Sequence, residues 1–360
     1  MRLWKRKHTD HPNPLQRIRE KLAQAARQDN LLQIFGASRH KYILHEPLSP
    51  AAVEAFEQKH GIALPQELTD FLTAVGSGGA GPYHGLYTLE QMEQESARLA
   101  EPCILRPDFT EEEWWELEAL YEKQAEEANE GCEAGGERMF QGTLCIGTQG
   151  WTHDTVLILN GPYRGRIVYI DRDEQRPFFA YEKNFLNWYE RWLDELIAGR
   201  SVERFGRLPG GSEQELLALF DETDDDQLRL EALRGLFKIP ALGPGTTARL
   251  RHIFRETEPY TPLALVTLQH LAKADYPYVE NDLLDVLHNS PRSEERQVAA
   301  RLLQTYMPTG TLRKKVPDLT KLLHQENDHG VVHSLLMLIQ AAGAIDSDAL
   351  LERRSPIKPD

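Results

Sequence analysis

The stretch Val53 to Gly81, VEAFEQKHGIALPQELTDFLTAVGSGGAG, constrains the fold of this chain more than any other. It reads as a helix that stops at Gly61, restarts after Leu64-Pro65 and ends in a run of glycines. Val53 and Phe56 share one side of the first helix at i, i+3 spacing. Gly61 suits the position just past a helix end, where left-handed backbone costs a residue without Cβ least. Pro65 suits the first turn of the second helix, where no backbone N–H is missed. Leu64, Leu68, Phe71, Leu72 and Val75 form that helix's apolar stripe. Nothing here is chemically reactive, so the stretch points to recognition rather than catalysis. Gly76 to Gly81 fits GxGxxG, but a dinucleotide turn needs a strand before it and a helix after it. Here a helix precedes and Pro82 follows, so the run closes a helix and no cofactor is expected.

At 360 residues, two domains are the natural expectation. Charged residues make up 27% of the chain and no run of about 18 apolar residues occurs, so a soluble protein without membrane contact is expected. The first residues, MRLWKRKHTDHPNP, lack an apolar core and do not read as a secretory signal. Cys103, Cys132 and Cys145 are odd in number and form no CxxC pair, which favours reduced thiols in the cytoplasm over zinc or disulfides. The net charge of -15 is uneven. Residues 90–137 hold 16 acidic and 3 basic residues, a net of -13. Such a block repels nucleic acid and favours a basic partner.

Taken in order, 1–29 is a basic segment ending in a helix on Leu15, Ile18, Leu22, Ala25 and Ala26. Residues 30–200 read as an α+β domain, with an acidic insertion at about 90–137. In that insertion Thr110-Glu111-Glu112-Glu113 starts a helix, with acids at the positive end of its dipole. Trp114, Leu117, Leu120 and Tyr121 give it an apolar face, and Gly131, Gly135 and Gly136 read as a flexible loop. Thr143–Ile146, Thr155–Leu159 and Arg166–Ile170 are short β-rich runs separated by glycine and Asn-Gly turns, the punctuation of an antiparallel meander. Phe178 to Tyr181 is a candidate fourth strand. Phe185, Trp188, Tyr189, Trp192 and Leu193 form a closing amphipathic helix. Residues 201–212 read as a linker, and 213–352 as wholly helical. Helical segments start near Asp225, Thr261, Ser293 and His329, at spacings of 36, 32 and 36. That period suggests a HEAT-like solenoid.

His153 beside Asp154 invites an acid–base reading. No G-x-S-x-G elbow accompanies it, so the Trp151–Asp154 loop is read as a binding element. His329 and His333 stand at i, i+4 without a Glu-x-x-His frame, and no metal is expected there. The acids from Asp221 to Asp226 lack the spacing of a calcium loop.

Phe56-Glu57, Gly61-Ile62, Leu64-Pro65, Glu67-Leu68, Phe71-Leu72 and Gly76 together resemble the opening motif of the SUKH superfamily. Gly142 to Gly147, Gly150, Asp154 and Val156 to Leu159 resemble its central strands, Gly165 to Asp171 the next strand, and Phe185 to Leu193 its closing helix. The resemblance covers roughly residues 30–198. It implies an α+β domain of mostly antiparallel sheet with flanking helices, acting by binding proteins. Many members are immunity proteins that neutralise toxins; others are cell-wall synthesis regulators.

The expectation is therefore a non-catalytic protein-binding module of the immunity type. The alternative is a cytoplasmic scaffold or regulator that uses the helical repeats as a second surface. Partner contacts are expected at Tyr83, His84, Tyr87, Trp151, His153 and Asp154, placed on one shared face, and at Glu111, Glu112 and Glu113.

Overall fold

The computed structural model of the chain describes residues 13–128, 133–172 and 176–343. Residues 1–12, Gly131 and Cys132 lie outside these. The chain forms two compact units that divide between Gly211 and Ser212.

The first unit opens with α1 (Pro14–Gln28), capped by the Asn13 side chain. Its buried stripe is Ile18, Leu22 and Ala25. Its cations are largely engaged: the Arg17 Nε and Lys21 Nζ each lie 2.8 Å from Glu190 Oε1. A short helix α2 (Ala37–His40) follows. The helix pair is α3 (Pro50–His60) and α4 (Gln66–Ala74), with Gly61 left-handed between them. Pro65 is the N-cap of α4 rather than its first residue. The glycine run after α4 pairs with its neighbours instead of opening a helix, since Gly79 bridges both Leu44 and Leu86. α5 (Leu89–Gln94) and α6 (Glu111–Glu127) each start in a capping box, and α7 (Glu133–Met139) follows. Gly135 and Gly136 thus lie in a helix, not a loop. The reason is packing: a Cβ on Gly135 would stand 3.1 Å from Glu122 Cα on α6.

The sheet is an antiparallel meander in the order β1-β2-β3-β4. Its strands are β1 (Thr143–Gly150), β2 (His153–Ile158), β3 (Ile167–Asp171) and β4 (Phe178–Phe179). Alternation along the strands sends residues to opposite faces. Leu144, Leu157 and Ile167 join the core built by the helix pair and α8 (Phe185–Ile197). Cys145, Val156, Ile158, Val168 and Ile170 join a second core with Leu105, Phe109, Trp114 and Met139. Because both faces are covered, the strands read as continuous apolar runs. The acidic insertion is therefore a layer of the fold. Leu120, expected on its apolar stripe, is instead exposed.

The second unit is helical: α9 (Glu213–Glu222), α10 (Asp226–Gly235), α11 (Pro244–Glu256), α12 (Pro262–Asn289), α13 (Ser293–Tyr306), α14 (Thr309–Gln325) and α15 (His329–Ala341). α12 breaks at Asp275, where φ is -158° and ψ 67°, two residues before Pro277. One continuous core, from Leu216 to Ala342, holds these helices together. Among the described residues no helix is long and apolar enough to cross a membrane.

Candidate functional site

The β1–β2 turn is Trp151-Thr152, closed by the pairing of Gly150 with His153. Its frame is fixed by side chains. The Thr148 hydroxyl donates to His153 O at 3.0 Å and accepts from the Gly150 N–H at 3.0 Å. The Thr152 hydroxyl donates to Asp171 Oδ1 at 2.6 Å. On this rigid tip Trp151 sits at φ +57° with its side chain fully exposed. A bulky residue in left-handed backbone is strained, at a cost of order 1–3 kcal/mol. Exposure returns nothing for that strain through burial.

Beside the tip runs a groove of about 520 Å³, lined by Phe35, Gln149, Trp151, His153, Arg204 and Arg207, with Tyr83 and Glu203. Phe35 is half-exposed, with its ring 4.9 Å from that of His84. The His84 imidazole is held below its ordinary pKa by burial and, secondarily, by Arg39. Tyr83 corrects an expectation. It is 9% exposed and its hydroxyl donates to Phe205 O at 2.8 Å, so it supports the groove from inside. Phe205 and Val202 are buried in the same core, so the segment carrying Arg204 and Arg207 is anchored rather than loose. Tyr87 is half-buried between the two cores, and burial, with Cys145 and Asp154 adding to it, pushes its hydroxyl up to about 12.

His153 and Asp154 do not act as a pair. Neighbours on a strand face opposite ways. His153 Nε2 lies 3.5 Å from Asp171 Oδ2, whereas Asp154 Oδ2 accepts from Arg172 Nε at 2.7 Å. Asp154 is 8% exposed, which makes it a buried ion-pair partner and not contact surface.

The structure does not bring Glu111, Glu112 and Glu113 to this groove. They form the first turn of α6, whose Trp114 packs in the second core, on the other face of the sheet. Glu113 accepts from the Thr110 N–H at 2.9 Å and from Arg106. Those bonds, the backbone one first, hold its carboxyl below the usual range. Under α6 and α7 lies a second cavity of about 550 Å³, with Trp114, Cys145 and Val156 among its lining and Glu118, Glu122 and Glu137 around it. Among the described residues no cluster of His, Cys, Asp or Glu is arranged to hold a metal.

Phe35, Arg204 and Arg207 escaped the sequence reading. Phe35 belonged to no element read from the sequence, and the two arginines lay in the stretch read as a linker. The only sequence signal was an aromatic followed at once by a glycine, Phe35-Gly36.

Residues 47–191 match the model of the SMI1 / KNR4 family (SUKH-1). The match runs from just before α3, through the whole sheet, into α8. No curated protein and no solved structure matches the chain.

Proposed function

From the similarity of residues 47–191 to SUKH-1 domains, we propose that the chain is a non-catalytic protein-binding module of the immunity type, which binds and neutralises a toxin. The observation that carries this reading is Trp151, fully exposed in strained backbone on a side-chain-locked hairpin tip. Exposed aromatic anchors beside pockets dominate protein interfaces. The separate engagement of His153 and Asp154 supports a binding role over an acid–base one. The acidic surface of α6 favours a partner that is basic on the side it presents there. Free thiols at Cys103 and Cys145 fit a reducing compartment, the cytoplasm.

The test is co-expression with a toxin domain encoded beside the gene, followed by calorimetry. Trp151→Ala is expected to weaken binding on the order of tenfold or more, as at interface hot spots. Failure of any such toxin to bind the wild-type chain would sink the immunity reading.

One observation favours a second reading, a scaffold or cell-wall-synthesis regulator. The second unit places helix starts at Asp226, Pro262, Ser293 and His329, a near-constant spacing compatible with HEAT-like stacking and a second binding surface. Under it, deleting residues 212–360 removes an interaction that the first unit alone cannot make. An unchanged set of captured proteins would dismiss it.

A further inference from the structure

We infer that the Trp151 groove takes an acidic, apolar-tipped segment of the partner protein; the inference rests on the protein-binding reading above and specifies the chemistry of that contact. Two exposed rings, Phe35 and Trp151, flank the groove. Two guanidinium groups, Arg204 and Arg207, line it against one carboxylate, Glu203. Arg39 adds positive potential at the adjoining His84. The groove is thus locally cationic on a chain whose net charge is -15.

Its hydrogen-bonding inventory points the same way. Guanidinium groups only donate. Donors between two aromatic faces fit carboxylates that flank an apolar side chain. Phe205, 1% exposed and bonded through its carbonyl to Tyr83, anchors the segment that carries both arginines, and the Arg207 guanidinium lies 5.7 Å from the centre of the Tyr169 ring.

Nucleic acid also combines negative charge with stacking bases. It needs many phosphate contacts, and the groove offers two guanidinium groups against one carboxylate. A short acidic segment needs only the groove.

The test uses the full chain labelled with 5-fluorotryptophan, the Trp151 resonance being assigned by Trp151→Phe. The probes are a short peptide with Phe-Leu between Asp and Glu residues, its twin with Lys for each acid, and a short oligothymidylate. The acidic peptide is expected to shift the Trp151 resonance, and the Lys twin and oligothymidylate to leave it in place. Arg204→Glu, at an exposed site, should weaken the peptide on the order of tenfold, and added salt should weaken it further. A shift with the Lys twin or the oligonucleotide, or none with the acidic peptide, overturns the inference. The two readings fail separately. If a toxin binds wild type and Arg204→Glu equally, the groove chemistry is wrong while the immunity role stands. If the acidic peptide binds and no toxin does, the immunity role is wrong and the groove chemistry stands.

Discussion

Replacing Gly79 by alanine tests why the glycine run follows α4. Gly79 has φ +100°, and a Cβ there would sit under 3.0 Å from Ile43 O and 3.2 Å from Leu44 Cα. Both neighbours are backbone and cannot swing away. Three hydrogen bonds converge on the spot. The Gly79 N–H donates to Leu86 O at 2.9 Å, the Leu86 N–H to Gly79 O at 2.8 Å, and the Ala80 N–H to Ile43 O at 2.8 Å. Forcing a non-glycine residue into this backbone costs about 1–2 kcal/mol. Relieving the clash breaks two of the bonds, at about 0.5–1.5 kcal/mol each. The sum is about 2–5 kcal/mol, a large share of a typical domain's 5–15 kcal/mol. Gly61 is the control. It too is left-handed, at φ +64°, but a Cβ there meets nothing within 4 Å, so Gly61→Ala should cost only the backbone term of about 1 kcal/mol. The assay is urea unfolding followed by tryptophan emission. All 6 tryptophans lie between Trp4 and Trp192, so the signal reports the first unit alone. A Gly79→Ala cost no greater than that of Gly61→Ala would refute the backbone clash.

Three further outcomes follow from the same structure. Trp151→Gly should leave stability no more than about 0.5 kcal/mol below wild type, because relief of left-handed strain at least offsets the added freedom of the unfolded chain; a larger loss in the same urea assay would mean that Trp151 serves the fold. His270 is 2% exposed, and burial pushes its imidazole down to about 4. With the folded value below the unfolded 6.5, the second unit is fully stable above pH 6.5 and loses up to about 3 kcal/mol as pH falls from 6.5 to 4. His270→Gln should flatten that slope in far-UV circular dichroism melts, and an unchanged slope would remove His270 as the cause. Burial likewise pushes the Cys145 thiol up to about 12, so iodoacetamide at pH 8 should label it only on unfolding; rapid labelling of native chain in mass spectra would contradict this.

The periodic parts of the fold were legible in the sequence. The helix pair, the meander and the aromatic stripe of α8 each repeat at a fixed interval, and a repeat survives without knowledge of tertiary contacts. The site was less legible, because residues adjacent in sequence were taken as adjacent in space. Strand alternation separates His153 from Asp154 and gives each a different partner. Tyr83 was expected at the partner face, yet its hydroxyl is used to hold Phe205. Arg204 and Arg207 became groove residues only because Phe205 between them is buried, a long-range contact that no local pattern records.

The same non-local logic explains the acidic stretch that the sequence presents as an insertion. Cys145, Val156, Ile158, Val168 and Ile170 form an apolar face that Leu105, Phe109, Trp114 and Met139 cover. The covering segment can be cut out without breaking the chain's path, since the Gln141 side-chain amide already donates to Pro102 O at 2.8 Å. Replacing residues 103–140 by a short glycine link therefore removes the layer and little else. If the stretch were only a solvated decoration, the product would stay soluble with unchanged Trp188 and Trp192 emission. The structure predicts otherwise. The bared face exposes five buried side chains in one patch, and contiguous apolar patches drive association. The excised chain should bind a hydrophobic dye strongly and elute as aggregate in size-exclusion chromatography, even though both tryptophans of α8 pack on the opposite face of the sheet. A monomeric, dye-silent product would show that the acidic stretch is dispensable to the fold and free to serve the partner alone.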